Sequence, residues 1–275
     1  MSDPRTSPDP DLVQGAKPAR IVATVCDLTR TPFGPRDRQL IAGDPVTILG
    51  TEGRRHYVRS EKDGYIGWLM QSDTGPYHEP THVVTALATH AYTAPDFKSP
   101  ERVSLTFGSR LFALSATEGY IETPYGFVPS QHLAALPWTA SQPAQVAQLF
   151  LGTPYLWGGN SRLGLDCSGL VQAALLACGI PCPGDSDQQQ AALPAIEQAD
   201  QPGDLIFWKG HVAMLLDAHT LIHANAYHMA VATEPKDTAI ARIAKKEFGD
   251  ITGFARPSLG SKYPGEFEGQ SPSPK

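Results

Sequence analysis

Short alternating runs of apolar and polar residues fill residues 19–138 of the chain. Among them are "PVTILG", "HYVRS", "GYIGWLM", "RLFALSA" and "YGFVPSQHL", which are separated by Gly, Pro, Asp and Ser. Alternation with a period of two, bounded by turn residues, predicts half-buried β-strands. This half of the chain is therefore predicted to be all-β.

The strand pattern occurs twice. The segments that begin at Gly43 and at Gly108 share an order of Gly, apolar strand, Thr-Glu-Gly turn, strand and Gly-aromatic-apolar strand, at an offset of about 65 residues. We predict two tandem β-barrels, over residues 19–78 and 79–138. Both halves resemble bacterial SH3 (SH3b) modules, most clearly in "DGYIGWL". A single irregular β-domain is the alternative.

The spacing of the apolar residues changes after residue 138. Residues 142–150 and 168–178 carry apolar residues at helical spacing, and "GDLIFW", "HVAMLL" and "LIHANA" follow as apolar strands with short turns. Helices followed by an antiparallel sheet predict an α+β domain over residues 139–258. The segments 1–18 and 259–275 are rich in Pro, Ser and charge without apolar periodicity, which predicts two disordered tails.

Charge and hydropathy exclude several classes of protein. The 275 residues carry a net charge of −6, and the basic residues form no run, so a nucleic-acid partner is not expected. The N-terminus lacks the apolar core of a secretory signal, and no stretch has the length of a membrane span. We therefore expect a cytoplasmic protein that does not associate with membranes and is a monomer.

The four cysteines are too few for a disulfide framework, so reduced thiols are expected. Cys178 and Cys182 form a single C-x3-C pair with no second pair, a weak metal signal. Small residues at a helix end are the better interpretation of both. We expect neither a metal site nor a cofactor.

Cys167 stands in the sequence "LDCSGLV", where a turn leads into the predicted helix. Only the thiolate is nucleophilic, and the unpaired N–H groups at a helix N-terminus favour that anion. Asp166 can cap the same helix. Cys178 lies at the other end, where the dipole disfavours an anion, so Cys167 is the candidate nucleophile.

A nucleophilic thiol needs a base, and His211 and His223 lie on two neighbouring predicted strands of the same domain. A two-residue turn at 218–219 would place the imidazoles on opposite faces of the sheet, because side chains alternate along a strand. An odd loop would place them on one face. We therefore predict an odd loop or a bulge near residues 217–220.

The motifs "PYLWGGNS", "LDCSGLV", "PGDLIFW", "GHVAML" and "LIHAN" occur in an order that resembles the NlpC/P60 family of cysteine peptidases. The resemblance covers residues 142–257 and implies a papain-like fold. It also implies that Cys167 is the nucleophile, His211 the base and His223 the residue that orients the base. Tyr155 matches the tyrosine that helps to hold the oxyanion.

The order of modules and the motif "GDSDQQQ" resemble, more narrowly, the γ-D-glutamyl-L-diamino acid endopeptidases of murein recycling. This resemblance implies a murein peptide that begins with a free L-Ala as substrate. It implies that Asp185, Ser186 and Ser168 bind the α-amine and that a tyrosine of the first module, for which Tyr65 is the candidate, covers the pocket. Trp157 is expected as a wall of the cleft.

Other interpretations remain open at this point. Asp185 and Ser186 are also explained by capping of the helix "SDQQQAAL", with Ser186 or Asp187 as the N-cap. A hydrolase of intact cell wall would have an open cleft, whereas an endopeptidase for free peptides would have a pocket closed by the first module. A non-catalytic cell-wall-binding protein would not need Cys167, His211 and His223 together.

Overall fold

The computed structural model describes residues 3–258 as two β-rich modules followed by a mixed helical and β domain. The predicted tail 259–275 lies outside the described residues. Within residues 3–258, no helix is long and apolar enough to cross a membrane.

The first module contains one antiparallel sheet with the strand order β3-β2-β6-β5-β4-β1-β7. Its strands are β1 Lys17–Ile21, β2 Val25–Thr29, β3 Arg36–Ile41, β4 Pro45–Glu52, β5 Arg55–Ser60, β6 Ile66–Met70 and β7 Thr74–Pro76. Alternate residues of these strands form its apolar core. The edge strands β3 and β7 do not pair with each other within the described chain.

The second module is divided between two sheets, with the orders β10-β9-β14-β13-β12 and β11-β8-β15. Its strands are β8 His82–Val84, β9 Ala88–Tyr92, β10 Glu101–Thr106, β11 Arg110–Leu111, β12 Ser115–Thr117, β13 Tyr120–Thr123, β14 Gly126–Pro129 and β15 Leu133–Ala135. In both modules a three-stranded meander leads into a short 3₁₀ turn and a short strand, as the repeated pattern suggests.

The prediction of two tandem β-barrels is not confirmed, because the hydrogen-bonded sheets described for residues 17–135 do not close. The alternation of apolar residues determines which face of each strand is buried. It carries no information on whether the two edge strands pair with each other.

The third domain contains an antiparallel sheet with the order β18-β23-β19-β20-β21-β22 and a small ribbon, β16-β17. Its elements are α1 Pro143–Leu149, β16 Asn160–Ser161, β17 Gly164–Leu165, α2 Cys167–Ala177, α3 Ser186–Ala192, β18 Ala195–Ile196, β19 Leu205–Trp208, β20 His211–Leu215, β21 Thr220–Asn225, β22 Ala230–Pro235, α4 Lys236–Lys246 and β23 Gly253–Ala255. The predicted helices correspond to α1 and α2 within one residue at each end. The helix α4, which interrupts the strands, was not predicted.

The two faces of this sheet pack against different helices. Val212 and Met214 of β20 share an apolar core with α1 and α2. Ala213 and Leu215 pack on the other face with α4. The start of β20 and the loops before α2 and α3 therefore lie where the helices, the sheet and the first module meet.

The expectation of a disordered tail over residues 1–18 is wrong for the described part, residues 3–18. The carbonyl of Arg5 accepts a hydrogen bond from the N–H of Ile66 at 2.8 Å, and the N–H of Asp9 donates to the Tyr57 hydroxyl at 3.0 Å. A 3₁₀ turn, Pro10–Leu12, follows. Composition reports the local preference of a segment, whereas these bonds come from residues distant in the chain.

Candidate active site

Cys167 is the first residue of α2, and Asp166 caps the helix. Asp166 Oδ1 accepts the backbone N–H of Gly169 at 2.6 Å and the Ser168 hydroxyl at 3.1 Å, and Oδ2 accepts the N–H of Gly158 at 2.9 Å. The capping role predicted for Asp166 is confirmed. A single carboxylate thus fixes both the helix start and the glycine-rich loop before it.

The hairpin of β20 and β21 has the predicted odd loop. Met214 lies opposite Ile222, and the Thr220 carbonyl accepts the N–H groups of both Leu216 and Asp217, at 2.9 and 3.4 Å. The same register places Leu216 opposite Thr220, so three residues, 217–219, form the turn. The register places the side chains of residues 211 and 223 on one face of the sheet.

On that face, His211 Nε2 and His223 Nδ1 are 2.9 Å apart, and the two side chains are only 2% and 1% exposed. The ring of His211 also stacks on Phe248, with centroids 5.0 Å apart. Burial disfavours the charged form and lowers the pKa of His211 to about 3 and that of His223 to about 4. Both imidazoles are therefore neutral at physiological pH.

The Cys167 sulfur lies at the backbone N–H of Val212, the residue after His211, and the described residues show no hydrogen bond between the sulfur and the His211 ring. The backbone N–H groups of Val212, Ser168 and Cys167 itself lower the pKa of the thiol, but burial and the adjacent Asp166 carboxylate outweigh them and raise it to about 12. The expected thiolate is therefore not formed in the resting site. Proton transfer from the thiol to an imidazole leaves the net charge of the pair unchanged, so the pair can form its charges together.

We expect the alkylation of Cys167 by iodoacetamide to have no inflection between about pH 5 and pH 8 and to accelerate by about tenfold per pH unit. Only the thiolate reacts, and far below its pKa the thiolate fraction grows with pH. Mass spectrometry of the peptide that contains Cys167, across a pH series, measures the rate.

The Cys167→Ser variant is the control, because the other three cysteines are also buried thiols. A plateau of rapid alkylation at neutral pH, with an inflection below about pH 5, would indicate a preformed thiolate and contradict the neutral pair.

A third buried polar residue, Glu234, extends the histidine pair, and the sequence did not predict it. His223 Nε2 lies 2.9 Å from Glu234 Oε1. Glu234 lies on β22, where it faces Leu221 across the ladder and so shares a face with His223. The segment "AVATEP" carries no motif; only the pairing of β22 with β21 could have identified the residue.

Tyr155 lies in the loop before β16 and is half-buried. Its backbone pairs with Leu165, two residues before Cys167. Burial, with smaller contributions from Cys167 and Asp166, raises the pKa of the phenol to about 12. Tyr155 is therefore a neutral hydroxyl donor in the neighbourhood of Cys167.

A cavity of about 400 Å³ joins residues that the sequence singled out separately. Its walls include Tyr65, Trp157, Cys167, Ser168, Asp185 and Ser186. The thiol, the two serines, the candidate carboxylate and the first-module tyrosine thus line one space. Trp157, with 69% of its surface exposed, forms an outer wall, as expected.

Asp185 lies in this cavity with three partners. The Tyr65 hydroxyl lies 3.3 Å from Oδ2, Arg5 Nη1 donates to the same oxygen at 2.8 Å, and the buried Arg38 lies 3.2 Å from Oδ1. Asp185 is also the N-cap of α3, so the expectation that Ser186 or Asp187 caps this helix is wrong. The Asp185 carboxylate therefore caps α3 and also faces the cavity.

The first module and the N-terminal segment close part of this cavity. Arg5, Arg30, Asp37 and Tyr65 contribute walls that the third domain does not supply. The approach is close: a Cβ on Gly158, whose φ is +68°, would lie 2.5 Å from the Asp37 carbonyl oxygen. The cavity therefore lies between the third domain, the first module and the N-terminal segment.

Comparison with known proteins identifies related chains. A model described as the NlpC/P60 family matches residues 152–245, and one described as the bacterial dipeptidyl-peptidase Sh3 domain matches residues 28–73. Dipeptidyl-peptidase 6 of Lysinibacillus sphaericus is 30% identical over 68% of this chain and 79% of its own length. A γ-D-glutamyl-L-lysine dipeptidyl-peptidase of Bacillus cereus is 28% identical over 74% of this chain and 71% of its own.

A solved structure has the same fold. The crystal structure of an NlpC/P60 family protein from Bacillus cereus aligns over 87% of this chain and 99% of its own, with 22% sequence identity and a TM-score of 0.73. The alignment extends over both β-rich modules and the third domain.

Proposed function

The chain belongs to the NlpC/P60 family of cysteine peptidases, and we propose that it cleaves the amide bond between γ-D-Glu and a diamino acid in murein peptides with a free N-terminal L-Ala. The observation that carries this proposal is the shared cavity, in which the Asp185 carboxylate and the Cys167 thiol face the same space. The names of the two relatives, both dipeptidyl-peptidases, support a reaction that releases a dipeptide from the amino end.

In the proposed reaction, His211 takes the thiol proton while the Cys167 sulfur attacks the amide carbonyl carbon. Tyr155 and the N–H of Cys167 hold the oxyanion. The His211 imidazolium then protonates the leaving amine, the C–N bond breaks, and an acyl-enzyme remains. Water, with its proton taken by His211, attacks the thioester; the C–S bond breaks, the acid product leaves, and the Cys167 sulfur takes the proton back from His211. His223 keeps the ring of His211 in place throughout.

In the proposed pocket, the substrate ammonium binds Asp185, with Ser168 and Ser186 as further partners. A cation removed from water must be paired, so a carboxylate at the end of the cavity favours peptides that begin there. Among the aspartates of the cavity wall, Asp185 is the one that the Tyr65 hydroxyl contacts. Tyr65 covers the amine, and Trp157 forms a wall.

The module boundaries follow the same proposal. We infer an SH3b-like module over residues 19–78, a second one over 79–138 and a papain-like catalytic domain over 139–258. The repeated meander, 3₁₀ turn and short strand support the second module. A pocket partly walled by the first module suits a free peptide better than cross-linked wall, which supports an enzyme of murein-peptide recycling. We propose that this enzyme is a cytoplasmic monomer.

Incubation of the full chain with synthetic L-Ala-γ-D-Glu-L-Lys and its diaminopimelate counterpart tests the proposal. Mass spectrometry should detect L-Ala-D-Glu and the free diamino acid from at least one of them, with Cys167→Ala as the inactive control. Release of peptides from insoluble sacculi without cleavage of either tripeptide would favour an enzyme of intact cell wall. No cleavage of any of these would contradict the proposal.

The substrate ammonium must take the place of Arg5 at Asp185 Oδ2. Arg5→Gln is therefore expected to lower KM by about two- to fivefold with kcat unchanged, because a partly exposed ion pair is worth on the order of 1 kcal/mol. Steady-state kinetics on the tripeptide measures both constants, and Arg20→Gln, whose guanidinium bonds the Pro76 carbonyl instead, is the matched control. A rise in KM would mean that Arg5 helps to bind the substrate.

A further inference from the structure

We propose that Glu234 is a positioning residue, which fixes the protons on both active-site imidazoles so that His211 Nδ1 is left unprotonated to receive the Cys167 proton. This inference rests on the proposed roles of Cys167, His211 and His223. It extends them to a carboxylate on a strand that contributes nothing to the cavity wall.

The hydrogen-bond chain dictates the placement of the protons. A carboxylate only accepts, so at 2.9 Å from Glu234 Oε1 the proton must be on His223 Nε2. A neutral imidazole carries one ring proton, so His223 Nδ1 is an acceptor. His211 Nε2, 2.9 Å from that acceptor, must then be the donor. The neutral His211 is left with its lone pair on Nδ1.

Other groups hold Glu234 in the ionised form that this chain requires. Arg242, on α4, bonds both carboxylate oxygens, through Nη2 to Oε1 and through Nε to Oε2 at 3.2 Å. His228 Nε2 lies 3.2 Å from Oε1. Burial alone would raise the pKa of Glu234, but the hydrogen bonds from Arg242 and His223 outweigh it and hold that pKa below its usual range. Arg242 also pairs with Glu247.

The arrangement supplies a hydrogen-bond acceptor that a Cys-His-His set lacks, whereas the charge of Glu234 is offset by Arg242, which after burial and His223 also lowers the pKa of His211. When His211 accepts the thiol proton, the imidazolium keeps its Nε2–H bond to His223, whose own Nε2–H bond ends on Glu234. No proton reaches Glu234, and the proton goes on to the leaving amine. Glu234 thus acts through the placement of the protons, because the wrong tautomer would leave His211 Nδ1 with no lone pair for the thiol.

The alternative is that Glu234 only joins β22 to α4 through Arg242. Glu247→Gln is a matched control, because it removes the other carboxylate on Arg242 and leaves His223 untouched. Glu234→Leu removes the acceptor altogether. Glu234→Gln keeps an oxygen that Arg242 can orient toward His223, so it tests charge separately from tautomer.

Long-range 1H–15N NMR of histidine-labelled protein at neutral pH assigns the tautomers without substrate. The proposal requires the proton on Nε2 of both His211 and His223 in the wild-type protein, and any other assignment overturns it even if no variant folds. The spectrum is independent of the substrate, so failure of this inference and failure of the proposed peptidase reaction are separate results.

In the kinetic arm, Glu234→Leu should lower kcat by about 10- to 100-fold with KM within about twofold, and its tautomer signals should be mixed. Glu234→Gln should retain the tautomers and recover part of kcat. A folded Glu234→Leu protein with wild-type tautomers, or a loss of kcat no greater than in Glu247→Gln, would show that the residue is only structural.

Discussion

Replacement of His211 by alanine is expected to lower kcat on a murein tripeptide by about 10⁴-fold or more, with little change in KM. Burial raises the pKa of the Cys167 thiol to about 12, so the thiol does not ionise by itself at neutral pH. In the proposed reaction the imidazole is both the acceptor of that proton and its donor to the leaving amine. Single-turnover kinetics with excess enzyme measures the loss in the chemical step.

His219→Ala is the matched control for this variant. His219 is an exposed residue in the turn that connects the same two strands, and it is expected to change kcat by less than about twofold. Circular dichroism of both variants separates a loss of chemistry from a loss of fold. A folded His211→Ala enzyme within about tenfold of wild type would show that another group activates Cys167.

Acetylation of the substrate α-amine is expected to lower kcat/KM by at least about 100-fold, the second large effect. A site built around a charged group rejects an analogue that lacks it, because its own buried polar groups are left unpaired. Asp185 would retain Arg5 at the oxygen that the ammonium takes, and a neutral amide cannot displace a guanidinium. Competition of both peptides in one reaction, followed by chromatography, gives the ratio of kcat/KM.

Arg38 explains how that pocket is held together. Its side chain, on β3 of the first module, is buried and donates to the Gly184 carbonyl and to Gln172 Oε1, at 2.5 and 2.9 Å, in the third domain. The same guanidinium reaches Asp185. The first module thus binds Asp185 through Arg38, and its Tyr65 covers the same carboxylate.

Local signals explain why part of the site could be predicted. Asp166 and Cys167 lie at a helix start whose cap, apolar face and glycine are all within a few residues, so the sequence contains the whole feature. The odd loop between β20 and β21 was predicted because two imidazoles on one face allow only one parity of register. Both predictions depend on short-range geometry.

Long-range pairing explains what was missed. Glu234 becomes part of the histidine chain only through the register of β22 against β21, and Arg5 reaches Asp185 across 180 residues of the chain. The thiolate was wrongly expected because a helix N-terminus is visible in a sequence, whereas the burial that raises the pKa of Cys167 is not. The alternation of apolar and polar residues likewise does not predict whether the two edge strands of a sheet pair with each other and close it.

The most direct test of the account is the kcat/KM of the free and N-acetylated tripeptides on the wild-type enzyme and on Asp185→Asn, with Asp187→Asn as control. Asp187 also binds Arg5 but is not hydrogen-bonded to Tyr65 in the described structure. The account predicts a preference of at least about 100-fold for the free peptide in wild type and in Asp187→Asn, falling below about tenfold in Asp185→Asn. Equal cleavage of both peptides by the wild-type enzyme, or a preference that Asp185→Asn leaves intact, would contradict recognition of the free amine by Asp185.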